Sequence, residues 1–201
     1  MLFSLINGLE KTDIILASTS PRRYELLKTL GLSFKVIDSG VKEEHIDGEP
    51  IQSAIENSRK KGHAVAAKNP DSLVISADTV VVLDEKILGK PNNDQDAVEM
   101  LRSLSGRTHT VISAFSLFYY KYEHYLCDYE TTEVKFRKIS EEEILAYINT
   151  GEHSDKAGAY AIQGQGAVFI EKINGCYYNV VGFPLTKFYI KLQEFCSHYC
   201  P

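Results

Sequence analysis

Leu73-Val-Ile-Ser-Ala-Asp78-Thr-Val-Val-Val-Leu83 is the stretch on which the fold turns. It is rich in β-branched residues and reads as a buried strand. Asp78 interrupts it. A carboxylate among valines and isoleucines is costly to bury unpaired. Either a base or a metal offsets it, or the strand ends there and Asp78 faces a cleft. Strand-borne carboxylates in apolar runs are uncommon, so Asp78 is the first candidate functional residue. The competing readings are a structural salt bridge and an edge-strand aspartate.

Reading outward, Ile14 to Ala17 form a shorter apolar run, again a buried strand. Ser20 and Pro21 then read as the cap and first position of a helix that buries Leu26, Leu27 and Leu30 and stops at Gly31. Phe34 to Ile37 reads as a strand, residues 50–68 as a helix with a basic patch Arg59-Lys60-Lys61, and residues 94–105 as a helix capped by Asn93 and stopped by Gly106. Strands near 108–121 and 124–137 are joined most simply by a hairpin. Ser140 and Glu143 form a capping box for a helix ending near Asn149. Residues 167–173 and 176–182 alternate around Asn174-Gly175, a two-residue hairpin signal. Pro184 starts a last helix reaching about Cys196. Hairpins and crossovers together predict an α/β fold with a mixed twisted sheet flanked by helices. No repeat or long linker divides the chain, so residues 1–201 read as one domain, two-lobed.

The chain has 201 residues, 44% hydrophobic and 24% charged, with a formal net charge of −5. That is enough apolar material for a core without disulfide staples. The acidic balance argues against nucleic acid as a partner, because such proteins carry a basic face. No apolar stretch approaches the length of a membrane span, and the start, MLFSLINGLEK, has no basic region of a signal peptide. The four cysteines contain no C-x-x-C pair and read as reduced thiols of a cytoplasmic protein. Cys196, His198 and Cys200 in the tail are a weak metal candidate. The histidines lack H-E-x-x-H spacing, and His109 reads as structural.

Four further segments carry chemistry. Ser18-Thr19-Ser20-Pro21-Arg22-Arg23 joins a strand to a helix start, where free N–H groups and guanidiniums suit an anion; its other reading is a capped surface helix. Gly89-Lys90-Pro91 holds Lys90 extended, either toward a phosphate or as a solvated loop lysine. Asp155 to Gly166 packs three glycines among small residues, and the Gln163 amide can read a base edge; the alternative is a flexible connecting loop. Lys42-Glu43-Glu44-His45-Ile46-Asp47 offers hard oxygens suited to Mg²⁺, or is a solvated loop.

Seven ordered blocks, ILASTSPRRYELL, SADT, LGKP, MLRSLSGRTHTV, TEVKF, DKAGAYAIQG and NVVGFP, resemble the Maf family, also called Maf-like or septum-formation-inhibitor proteins. The resemblance runs from about Asp13 to about Leu192. It implies a nucleotide pyrophosphatase with a fold similar to the inosine triphosphate pyrophosphatases. Such an enzyme cleaves nucleoside triphosphates between the α- and β-phosphates with Mg²⁺ or Mn²⁺. Ala77-Asp78-Thr79 and Gln163 resemble the subgroup preferring dTTP and UTP. The general base falls on Asp78. Substrate-specificity positions fall on Arg22, Thr79 and Gln163, and phosphate-binding positions on Ser18, Arg22, Arg23, Lys61 and Lys90. Metal ligation falls on Glu43 and Asp78, with Glu44 as the alternative to Glu43. A homodimer is also implied. Departures are Lys42 before Glu43, Gly62 after Lys61, and Ala161 where glycine is common. Two other functions stay open, a pyrophosphatase for modified purine nucleotides and a non-catalytic regulator on the same fold.

Overall fold

The computed structural model describes residues 2–6 and 8–199, with the side chains of Leu2 and Tyr199 left aside. In chain order the elements are β1 (Ile14–Leu16), α1 (Pro21–Thr29), β2 (Lys35–Val36), α2 (Pro50–Ala66), β3 (Leu73–Leu83), β4 (Lys86–Leu88) and α3 (Asp94–Leu104). There follow β5 (Thr108–Tyr119), β6 (His124–Phe136), α4 (Glu141–Ile148), β7 (Ile170–Asn174), α5 (Tyr177–Val181) and α6 (Leu185–Tyr199). Short 3₁₀ turns connect several of them.

The strands form one mixed sheet in the order β2-β1-β3-β5-β6-β7, with β4 paired to β3. β1 is parallel to both β2 and β3, and the remaining pairs are antiparallel. The expected α/β fold with a mixed sheet is what the chain adopts. The α1 crossover runs from β1 to β2 on one side, and the α2 crossover returns past β1 to β3 on the other. The carboxyl end of such a strand is where open α/β sheets form a ligand crevice.

β3 divides the core. On one face Leu73, Ile75 and Ala77 pack with Leu16, Leu27, Phe115, Phe183 and Phe188. Further along that face Val81 and Leu83 pack with Leu101, Phe136, Ile144 and Phe169. Thr79, opposite Ser113 in the register, stands between the two clusters. α2 covers the other face. Gly62 makes this close fit possible, because a Cβ there would lie 2.5 Å from both Phe118 Cε2 and Ser76 Oγ. The departure at Gly62 therefore has a packing cause.

Several helix signals hold in detail. Asn93 accepts the Asp96 N–H, and Ser140 and Glu143 form the reciprocal capping box. Ser20 stands at the cap of α1, but its side chain makes no capping hydrogen bond. Ser18 Oγ instead accepts the Ser20 N–H at 3.3 Å.

Two expectations are corrected, and one strand, β4, was not foreseen. Asp78 does not interrupt β3, which runs unbroken with Asp78 opposite Ala114. Basic and amide partners offset its burial, so the strand need not end. β4 was not legible because its turn, Asp84-Glu85, takes left-handed angles at both residues (φ 48° and 66°) without the glycine that normally marks such a turn. The hairpin around Asn174-Gly175 does not form. β7 pairs with β6, and residues 177–181 are helical. Asn179 decides this. Its amide accepts the Ser113 N–H and donates to Val111 O and Thr132 Oγ1, fully buried. A strand there would leave those groups without that partner.

Candidate active site

β1 pairs with β3 only from Leu73 to Ile75, and β4 pairs only from Val81 to Leu83. Between them the edge of β3 has no neighbouring strand, and Asp78 and Thr79 lie in that gap. A cleft of about 560 Å³ opens there. Side chains alternate across a strand, so Asp78 faces α2 and Thr79 the opposite side, yet both border the opening. Ser18, Arg22, Arg23, Glu43, Lys61, Asp78, Thr79, Lys90 and Gln163 all line it. Residues spread over 146 positions of sequence are thus brought to one cleft.

Asp78 is 3% exposed. Lys61 Nζ donates to its Oδ1 at 2.6 Å and to Glu43 Oε1 at 2.6 Å. Asn57 Nδ2 donates to Asp78 Oδ2 at 3.3 Å. Lys61 is therefore a bridge between two carboxylates, with one of its three donors left over. Lys90 Nζ stands 3.8 Å from Glu43 on the other side. Burial pushes the Glu43 carboxyl up, but Lys61, Lys90 and Arg23 outweigh it and hold the group below its usual range. The neighbouring Glu44 turns outward to Lys60 at 2.6 Å. Of the two glutamates, only Glu43 lines the cleft.

Arg23 is buried. Its guanidinium donates to Gly182 O at 3.1 Å, Ser18 Oγ at 3.2 Å and Thr79 Oγ1 at 3.0 Å. Burial lowers its pKa, and the nearby Asp78 and Glu43 charges oppose that. Thr79 Oγ1 also donates to Gly182 O at 3.3 Å and lies 2.9 Å from Ser113 Oγ. Its hydroxyl is thus part of the wall and not a loose group. Arg22, on the first turn of α1, donates to Asp155 Oδ2 at 3.2 Å across the cleft, and Lys156 pairs with the same carboxylate. Burial raises the Asp155 carboxyl, but Lys156 and Arg22 together leave it lowered. Gln163 lies at the rim, exposed.

Sequence reasoning missed Asn57, Ser113, Asn179 and the Gly182 carbonyl, and left Asp155 and Lys156 without a role. Asn57 had one signal. It stands four residues before Lys61 on α2, so a helix puts both on one face. Asn179 and Gly182 fall within the block NVVGFP, which marked the segment but gave neither a role; Ser113 had no signal, since it meets Asn179 only through tertiary packing.

Five basic and four acidic side chains line the cleft, and most are paired with one another. Among the described residues no cluster of three or more His, Cys, Asp or Glu could hold a metal. The tail candidate is left without support at Cys196 and His198, and Cys200 lies outside the described residues. Cys127 and Cys176 are free thiols. Among the described residues no helix is long and apolar enough to cross a membrane.

Comparison with known proteins gives a consistent picture. The Maf-like protein family matches residues 13–195. A dTTP/UTP pyrophosphatase of Thermoanaerobacter sp. (strain X514) is 48% identical, over 90% of this chain and 95% of its own. A protein of the same name from Thermococcus kodakarensis is 47% identical, over 90% of this chain and 95% of its own. Another from Aquifex aeolicus is 45% identical, over 90% and 94%. Among solved structures, the Staphylococcus aureus Ham1 protein covers 62% of this chain and 72% of its own at 16% identity, with a TM-score of 0.47, too slight a likeness to build on.

Proposed function

The chain belongs to the Maf-like protein family, and from that membership we propose that it hydrolyses dTTP and UTP to the monophosphate and pyrophosphate in the cleft beside β3. The observation that carries the reading is the buried Asp78 carboxylate, joined to Glu43 through Lys61 in a cleft that also presents Arg22, Arg23 and Lys90.

A divalent cation fits these residues. Lys61 already holds a positive charge between the Asp78 and Glu43 oxygens, within 2.6 Å of each. Both are hard ligands, and Mg²⁺ usually takes one or two carboxylates and completes its shell with phosphate oxygens and water. Asp78 and Glu43 would hold it. When bound, such a cation neutralises phosphate charge and lowers the pKa of a coordinated water. The cleft's own cations are largely matched by its own carboxylates, which is a second reason for an added positive charge.

Asp78 acts as the general base, taking a proton from the water that attacks in line with the pyrophosphate leaving group. Arg22 and Lys90, the two more exposed cations, bind the triphosphate and stabilise charge developing in the transition state. Arg23 and Ser18 form the phosphate-facing wall beneath α1, and the remaining Lys61 donor points charge at the same region. Gln163 reads the pyrimidine, because an amide both donates and accepts and so matches the carbonyl and N–H pattern of uracil or thymine. Thr79 bears on base choice through the wall it builds with Arg23 and Gly182. The enzyme acts in the cytoplasm, which suits the free thiols of Cys127 and Cys176, and pairs as a homodimer, which sedimentation tests.

The test of function is the product formed from UTP with Mg²⁺. UMP with pyrophosphate is expected, and UDP with phosphate overturns the reaction. Across a nucleotide panel UTP and dTTP should lead. A clear preference for GTP or ITP would assign the cleft to purines instead. Tight nucleotide binding without pyrophosphate release would make the protein a regulator.

A further inference from the structure

α2 carries Ser53, Asn57 and Lys61 at four-residue intervals, so they form one stripe along the helix. All three are buried, at 0%, 1% and 7% exposure. Each grips the loop that brings Glu43 to the cleft, in reverse order along that loop. Ser53 Oγ accepts the Ile46 N–H at 2.8 Å. Asn57 Oδ1 accepts the Glu44 N–H at 3.0 Å, and its Nδ2 donates to Glu44 O at 2.9 Å. Lys61 takes the Glu43 carboxylate.

Asn57 is the centre of this seam. One side chain holds both backbone polar groups of Glu44 and also reaches Asp78 Oδ2. Holding both groups fixes the orientation of that residue in the chain. Glu43 then points inward to Lys61, while Glu44 points outward to Lys60. A slip of one residue would put the wrong glutamate in the cleft. The sequence Glu43-Glu44 offers no preference of its own, since the two side chains are identical.

We propose that Asn57 is a positioning residue that sets the register of the Glu43 loop and so holds the Glu43 and Asp78 carboxylates as one cation-binding pair. The proposal rests on the functional reading above. It concerns an amide that touches neither the phosphates nor the metal but orients the groups that do. Partners of this kind typically matter about 10–100-fold in metal affinity or activity.

The experiment measures Mn²⁺ binding to the free full-length protein by electron paramagnetic resonance, with kcat and KM for UTP alongside. Asn57→Ala is expected to weaken Mn²⁺ binding about 10–100-fold, with kcat falling in parallel and KM for UTP changing less. Ser53→Ala, which removes the Ile46 clamp and the bond to Glu49 O but leaves Asn57 and Lys61 in place, should show a smaller loss in the same direction and serves if Asn57→Ala does not fold. Leu192→Ala, in the core remote from the seam, should lower Tm and leave Mn²⁺ affinity unchanged. If Asn57→Ala, or Ser53→Ala in its place, lowers Tm but binds Mn²⁺ as the parent does, the proposal is overturned. A parent protein that neither binds Mn²⁺ nor releases pyrophosphate would instead overturn the functional reading.

Discussion

Replacing Asp78 by asparagine separates chemistry from architecture. The carboxylate accepts from Lys61 through Oδ1 at 2.6 Å and from Asn57 through Oδ2 at 3.3 Å. An amide of the same shape has one acceptor oxygen. One of those donors must then face an NH₂ group in a buried site. Leaving a buried donor unsatisfied costs about 1–3 kcal/mol. In a chain of this size each kcal/mol moves Tm by roughly 2–4 °C, so the expected drop is roughly 2–12 °C. Lys61 keeps Glu43 as a partner, which holds the loss toward the lower end. A folding free energy of about 5–15 kcal/mol absorbs that, and the variant should be folded at room temperature. Its rate should not survive. Loss of a general base costs about 10²–10⁴ in turnover, equivalent to about 2.7–5.4 kcal/mol of barrier. Pyrophosphate release from UTP at saturating Mg²⁺ measures the rate, and calorimetry measures Tm on the same sample. A folded Asp78→Asn protein with turnover close to the parent's would refute the assignment of Asp78 as base.

Gly62→Ala puts a methyl 2.5 Å from Phe118 and Ser76 Oγ, so overpacking should cost about 1–3 kcal/mol, read as a lower urea midpoint. Ser140→Ala removes one half of the α4 capping box and should cost about 0.5–2 kcal/mol, with kcat per folded molecule unchanged. Burial pushes His109 down to about 4, from about 6.5 in the unfolded chain. Between those values the unfolded chain binds more protons, so this stabilisation is fully present above pH about 6.5 and is lost as the pH falls toward about 4. The shift corresponds to about 3 kcal/mol at most. His109→Gln should flatten that part of the stability–pH curve in urea titrations. An unchanged slope would show that His109 does not set it.

Much of the architecture could be read from local pattern. The buried strands at 14–16 and 73–83, the capped helices at 94–104 and 141–148, and the β5–β6 hairpin follow from periodicity and caps, which act over a few residues. The failures lie where distant groups compete with local signals. Asn174-Gly175 is a strong hairpin signal, but Asn179 finds three buried partners on β5 and β6 and the segment turns helical. Asp84-Glu85 closes a tight turn without a glycine, next to Arg107 at 2.5 Å.

The candidate site divides in the same way. The sequence alone established which residue types are present and in what order, because ordered motifs survive in one dimension. Ser18, Arg22, Glu43, Asp78, Lys90 and Gln163 could all be named as candidates from it. It could not choose between Glu43 and Glu44, which are chemically identical neighbours. It also could not foresee that Lys61 would lie between two carboxylates, or that Arg23 would be buried against Gly182 and Thr79. Those outcomes depend on α2 packing across β3 and on the gap that β1 and β4 leave along its edge. Only the folded chain brings these charges within 2.6–3.8 Å of one another, and it is distance and burial that decide what each of them does.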